Sequence, residues 1–230
     1  MCTVVVRWGP GRPVMVLALR DELTGRAFDD PGAWWPEQPT VIGGRDRTAG
    51  GSWCVTDSTS GVSALVLNRP QRPQAAEGAP SRGVLPLIAV KHGHDWPAYV
   101  DRVGMASFAV VLVAPDALTR WVFDGERLTS TVLAAGTHMV TSGGAEDGKA
   151  GRYLAAFTEC ASVVEWRGLV TGRLPQDDPA ALVVRHERDG LVFGTVFGQI
   201  IDSAPGTLSL GYSRTPWVEG TWTEAHWPPP

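Results

Sequence analysis

The chain has 230 residues, 43% hydrophobic and 19% charged, with 20 basic and 24 acidic side chains and a net charge of −4. That is a globular balance, and a chain of this length should form one large domain that buries roughly 70% of its unfolded surface. Long disorder does not fit it, no basic run exists to track nucleic-acid phosphates, and no apolar stretch approaches the ~20 residues of a membrane helix.

Twenty-seven glycines and 18 prolines predict turns and many short strands rather than a helical bundle. Cys2, Cys54 and Cys160 are odd in number and far apart, with neither a disulfide framework nor a zinc spacing. The N-terminal apolar run is too short, and too soon broken by Gly9 and Pro10, for a secretory signal. The expectation is a soluble, cytoplasmic protein.

In chain order, residues 3–8 are a β-branched run, 9–13 a turn and 14–19 a second apolar run, which predicts a hairpin. Residues 43–51 (GGRDRTAGG) form a glycine-rich loop, and 53–56 with 62–67 a second strand pair. The Pro/Ala/Gly segment 69–83 reads as an exposed loop inside one domain spanning 1–230. Residues 94–105 are predicted helical, with Asp95 as cap and Pro97 in the first turn. Strands at 107–113, 119–123 and 128–133 follow as a meander. Tyr153, Leu154, Phe157, Ala161 and Val164 recur at helical spacing, predicting a helix from Lys149 to about Trp166. A shorter helix at 178–186, strands at 191–201 and 208–212, and a tail at 227–230 complete the chain. The order predicts an α+β fold with antiparallel sheets covered by helices.

Cys2 is the first candidate for chemistry. Removal of the initiator methionine would leave it with a free α-amine of pKa about 8, able to take the proton of its own thiol. A hairpin centred near Gly11 places Cys2 across from Arg20, with opposed Cβ atoms about 4.5–5.5 Å apart. Arg20 should then lower the thiol pKa, while Asp21 orients the arginine or receives the α-ammonium.

MCTVVVRW, LALRDELTGR, GGRDRTAGGSW and SALVLNRP, in this order and spacing, resemble the NRDE family, also called the transport and Golgi organisation protein 2 family. The resemblance is specific over residues 1–70, with GTH (136–138) and FGT (193–195) as later landmarks. It implies a four-layer αββα fold of N-terminal-nucleophile hydrolase type, with two antiparallel sheets between helices. The same order is similar to the choloylglycine hydrolase and penicillin V acylase group. That similarity implies Cys2 as nucleophile, Arg20 and Asp21 as its assistants, and Asn68 at a strand end as oxyanion donor. Leu19 stands where the family has its first Asn and Ser52 where it has Thr. Ser142 replaces a family Asn that could donate to the oxyanion.

The implied function is cleavage of an amide or thioester (acyl) bond in a small molecule, with no cofactor required. The alternative is a non-catalytic protein that binds and traffics haem or a lipid/acyl-CoA. No Cys-X-X-Cys-His is present for covalent haem, so a reversibly bound haem would use Cys2, His138 or a Met. Trp53, His138 and Ser142 are candidates to line the substrate pocket, although core packing is the default for most of the ten tryptophans. His92 and His94 lack a third nearby metal ligand, and GGRDRTAGG fits neither phosphate-loop nor dinucleotide patterns.

Overall fold

Gly11, at φ +70°, lets the chain reverse between β1 (Thr3–Trp8) and β2 (Val14–Leu23). Thr3 pairs with Leu19 and Arg7 with Met15, so the hairpin register is centred where the sequence spacing predicts. The computed structural model describes residues 2–69, 75–144, 148–204 and 206–227. These fall into two compact units, Met1–Arg26 with Ala135–Pro230, and Ala27–Ala134.

The first unit is a seven-stranded antiparallel sheet. Ala27–Ala134 holds a second seven-stranded sheet in which β3 (Phe28–Gly32), β4 (Val41–Asp46), β5 (Cys54–Asp57), β6 (Ser63–Asn68), β7 (Phe108–Val113), β8 (Leu118–Phe123) and β9 (Leu128–Leu133) lie side by side in chain order. Helix α1 (Leu85–His92) packs on β5, β6 and β7. Its Leu85, Leu87 and Ala89 join Val66, Trp96, Phe108, Val110 and Trp121 in that unit's core.

In the first unit, β10 (Gly136–Thr141) pairs with β1, and β12 (Leu191–Ala204) pairs with β2 on the hairpin's other side. β13 (Thr207–Ser213) and β14 (Thr223–Trp227) extend the sheet, and β11 (Arg185–Arg188) pairs with the start of β12. Helices α2 (Lys149–Glu159) and α3 (Val163–Val170) cover one face. Strand alternation directs Val5, Leu17, Leu19 and Ile200 to this face, where they meet Phe157, Trp166 and Val170. Cys2, Val4, Ala18 and Arg20 therefore belong to the opposite face. Both sheets are antiparallel and helix-covered, so the α+β class read from the sequence holds.

Several elements differ from their sequence-based expectation. Residues 94–105 are not an α-helix. Helix α1 lies just before them, with proline in its first turn, and ends at Gly93, whose φ is +57°. A 3-10 turn over Gly93–Tyr99 then buries Trp96. The helix expected over 149–166 is two, because Ser162 caps α3 by accepting from the Glu165 backbone N–H. Residues 178–183 form turns and bends that lead into β11, which takes in 185 and 186; the proline that fits a helix start serves a turn here.

Gly43 and Gly44, expected in a loop, lie inside β4. A Cβ at Gly43 would meet the Cys54 carbonyl at 2.4 Å, and one at Gly44 the Trp53 ring at 2.4 Å. Close approach rather than turning explains both. Residues 75–81 are largely exposed, as a loop requires, and 70–74 lie outside the described residues. Trp227 closes β14 instead of opening a tail, while 228–230 lie outside the described residues. Among the described residues, no helix is long and apolar enough to cross a membrane.

Candidate active site around Cys2

Backbone groups of two residues, Asp21 and Ser142, hold Cys2 at the open end of the β1–β2 hairpin. The Asp21 N–H donates to its Sγ at 3.4 Å, and Sγ lies 3.6 Å from the Asp21 carbonyl oxygen as a donor. The Ser142 N–H donates to the Cys2 carbonyl at 3.1 Å. The sulfur is thus tied to β2 and the carbonyl to the end of β10, which fixes the residue from both sides.

Burial pushes the Cys2 thiol up from its ordinary value, and the negative charge of Asp21 pushes it further. The N-terminal ammonium, the Asp21 backbone hydrogen bond and, least of all, Arg20 act in the opposite direction. Arg20 thus acts in the expected direction, but burial and the Asp21 charge outweigh it and the thiol is raised overall. The arginine is 5% exposed and directs a guanidinium nitrogen to Glu22 Oε2 at 3.4 Å, so an anion other than the thiolate shares its charge. The thiol is therefore protonated at rest.

Asp21 is adjacent to Arg20, and alternation turns its side chain to the helix-covered face. There Thr195 Oγ1 donates to Asp21 Oδ1 at 2.6 Å and accepts from the Val184 N–H at 3.0 Å. Lys149 Nζ stands 3.7 Å from Asp21 Oδ2 and donates to Thr3 Oγ1 at 3.0 Å. A β-bulge makes this possible. Thr195 pairs with Asp21 and Phe197 with the adjacent Arg20, so one extra residue of β12 separates the two pairs. Without it, a strand of period two would present Thr195 and Phe197 on the same face. Bulged, it gives Asp21 a hydroxyl on one face and Arg20 an aromatic neighbour on the other.

The remaining candidates are distributed over both units. Ser142 is buried, and its observed role is the backbone bond to Cys2. His138 lies in β10 opposite Val6, half-buried, on the Cys2 face. Asn68 ends β6, exposed and paired with Phe108. Trp53 sets its ring edge-on to Phe28 at 5.5 Å and packs against the core of the second unit. His92 stacks on Tyr99 at 3.6 Å, and His94 Nδ1 lies 3.5 Å from Thr119 Oγ1. Among the described residues, no group of three His, Cys, Asp or Glu side chains is placed to hold a metal ion.

Sequence reasoning singled out Asp21 but missed Thr195 and Lys149 at its carboxylate, and Thr3 beyond Lys149. Thr195 closes the FGT landmark, a signal that could have found it. Lys149 and Thr3 carry no such mark; only the fold brings Lys149 to Asp21 and Thr3 to Lys149.

Residues 1–110 match the model of the family Transport and Golgi organisation 2. Over that N-terminal stretch the chain is similar to this family, the one its Met-Cys, Arg-Asp-Glu and Gly-Arg-Asp motifs resemble. No curated protein matches the chain.

Proposed function

We propose that Cys2, once processing has made it the amino-terminal residue, is the nucleophile of a hydrolase that cleaves a small-molecule acyl bond, an amide or a thioester. The observation that carries this reading is the double backbone hold on Cys2, from the Asp21 N–H to sulfur and the Ser142 N–H to the carbonyl. A fixed nucleophile pays its orientational entropy on folding rather than in the transition state.

A thiol raised by burial needs a base that acts as it attacks. The α-amine of a terminal Cys2, attached to the same Cα, takes the S–H proton while sulfur bonds to the substrate carbonyl carbon. The carbonyl π pair moves onto oxygen. Collapse expels the amine or thiol leaving group, which takes the proton back from the α-ammonium. Water then attacks the acyl-cysteine, losing a proton to the amine; collapse breaks the C–S bond and releases the carboxylic acid, and sulfur takes the proton back from the α-ammonium. The resemblance assigns the oxyanion donor to Asn68, a role that requires an amide N–H held rigidly at a strand end.

Haem is the ligand of the alternative reading, with Cys2, His138 or a Met as its axial ligand. His138 lies opposite Val6, four residues along β1 from Cys2, or about 13 Å at the rise of a strand. One iron cannot take both. Met15 and Met139 belong to the helix-facing core, and Met105 is buried in the second unit. No step of the proposed chemistry passes through haem.

The test begins with the intact mass of the purified protein, expected to lack Met1. A panel of acyl thioesters and anilides should then show turnover that Cys2→Ala abolishes and Asn68→Ala lowers about 10²–10³-fold with the fold intact. Retained Met1, or turnover unaffected by Cys2→Ala, overturns the reading. Full activity in Asn68→Ala removes the oxyanion role alone.

A further inference from the structure

We propose that Lys149, outside the residues supplied by the family resemblance, is a positioning residue for Cys2 that acts through the carboxylate of Asp21. The inference rests on the reading of Cys2 as a nucleophile and adds a second layer behind it.

The placement of Lys149 is costly on two counts. Its side chain is 0% exposed, and lysines are almost never fully buried unless paired. It also opens helix α2, where the backbone N–H groups and the macrodipole disfavour a cation. Only compensating contacts hold a charge in such a position, and two of those of Lys149, with Thr3 and Asp21, converge on the neighbours of Cys2. Nζ donates to the hydroxyl of Thr3, the residue that follows Cys2, at 3.0 Å. It stands 3.7 Å from Asp21 Oδ2, and the Asp21 backbone N–H holds the Cys2 sulfur. Thr195 pins the other carboxylate oxygen at 2.6 Å. One ammonium thus joins the residue after the nucleophile to the residue that grips its sulfur.

The electrostatic consequence follows from the charges around Cys2. Among the described residues these include Arg20, paired with Glu22, and Asp21 on β2, together with Lys149 of α2 and the chain's N-terminal ammonium. Ser142, which meets Cys2 from the β10 side, carries none. Asp21 is the member that opposes thiolate formation. Lys149 offsets part of that anion, so Asp21 opposes loss of the Cys2 proton less than an unpaired carboxylate would.

The readout is the pH profile of Cys2 alkylation by iodoacetamide, followed by peptide mass spectrometry on the full chain. Lys149→Met is expected to move the Cys2 midpoint upward, slowing alkylation on the acid side about tenfold for each pH unit. Asp21→Asn is expected to move it downward, and Lys149→Arg to stay near wild type. Lys149→Gln keeps a donor for Thr3 and serves as the second variant if Lys149→Met does not fold. A folded Lys149→Met or Lys149→Gln protein with the wild-type midpoint would show that the ion pair is purely structural and would overturn the proposal. Alkylation needs no turnover, so the two readings separate. A shifted midpoint without acyl cleavage sinks the proposed function alone, and cleavage with an unshifted midpoint sinks the role of Lys149 alone.

Discussion

At the scale of single residues, burial decides the behaviour of the titrating groups more than their sequence neighbours do. For Cys54, burial pushes the thiol far above the ordinary range. Asp202 in β12 shows the same effect on a carboxyl: half-buried, opposite Met15 and Ser209, it is raised by desolvation. The folded state therefore holds the Asp202 proton more tightly than the unfolded chain. Its favourable contribution is complete below the unfolded pKa of about 3.9 and is lost as pH rises through the higher folded value. At pH 7 the ionised carboxylate works against the fold. Asp202→Asn is expected to raise the melting temperature at pH 7 and to give no gain at pH 3. Melts at the two pH values check this, and an equal gain at both would mean that charge is not the cause.

At the scale of elements, the hairpin was the most legible part of the chain. Its register depends on one turn and two apolar runs, and all three are local. Cys2 and Arg20 could be brought to one sheet face on that basis alone. Position was legible and environment was not, since the burial that raises the thiol comes from elements far away in sequence. The β12 bulge, the place of Lys149 and the split between α2 and α3 are likewise products of tertiary pairing. Helix 94–105 failed because proline and aspartate mark a turn as readily as a helix start.

Arg7 ties the hairpin to α2, and the sequence shows nothing of it. Its guanidinium donates to the carbonyls of Phe157, Thr158 and Cys160 at the helix C-terminus, where intrahelical donors run out, and lies 5.3 Å over the Trp166 ring. Hydrogen bonds of this charged kind are worth about 1.5–3 kcal/mol. Arg7→Ala is therefore expected to cost on the order of 2–3 kcal/mol, or roughly 5–10 °C in melting temperature for a protein of this size. Arg7→Lys should recover only part, because an ammonium cannot fork to three carbonyls. Urea titration of the three proteins measures it, and a change below about 0.5 kcal/mol in Arg7→Ala would mean that water caps the helix equally well.

At the scale of the whole molecule, the two units differ in how far apart in sequence their strands lie. Every strand of the 27–134 sheet pairs with its chain neighbour, from β3 to β9. The other sheet must join β1 to β10 and β2 to β12, pairing Thr3 with Thr141 and Leu19 with Gly198. Loop closure costs entropy before such contacts return any stability, by about 0.6 kcal/mol for each doubling of the loop. Sheets built from local pairs also fold faster than sheets built from distant ones. The 27–134 sheet is therefore expected to form first, and the surroundings of Cys2, which need β1, β2, β10, β12 and α2 together, to form last. Pulsed hydrogen exchange during refolding should show the amides of β7 protected before those of β1 and β12. The thiol of Cys54 should resist a pulse of alkylating reagent at the same early stage, while the exchangeable groups around Lys149 remain open. Simultaneous protection of both sheets would mean that they fold as one cooperative unit. Earlier protection of β1 and β12 would mean that hairpin and bulge nucleate the molecule despite their distance in sequence.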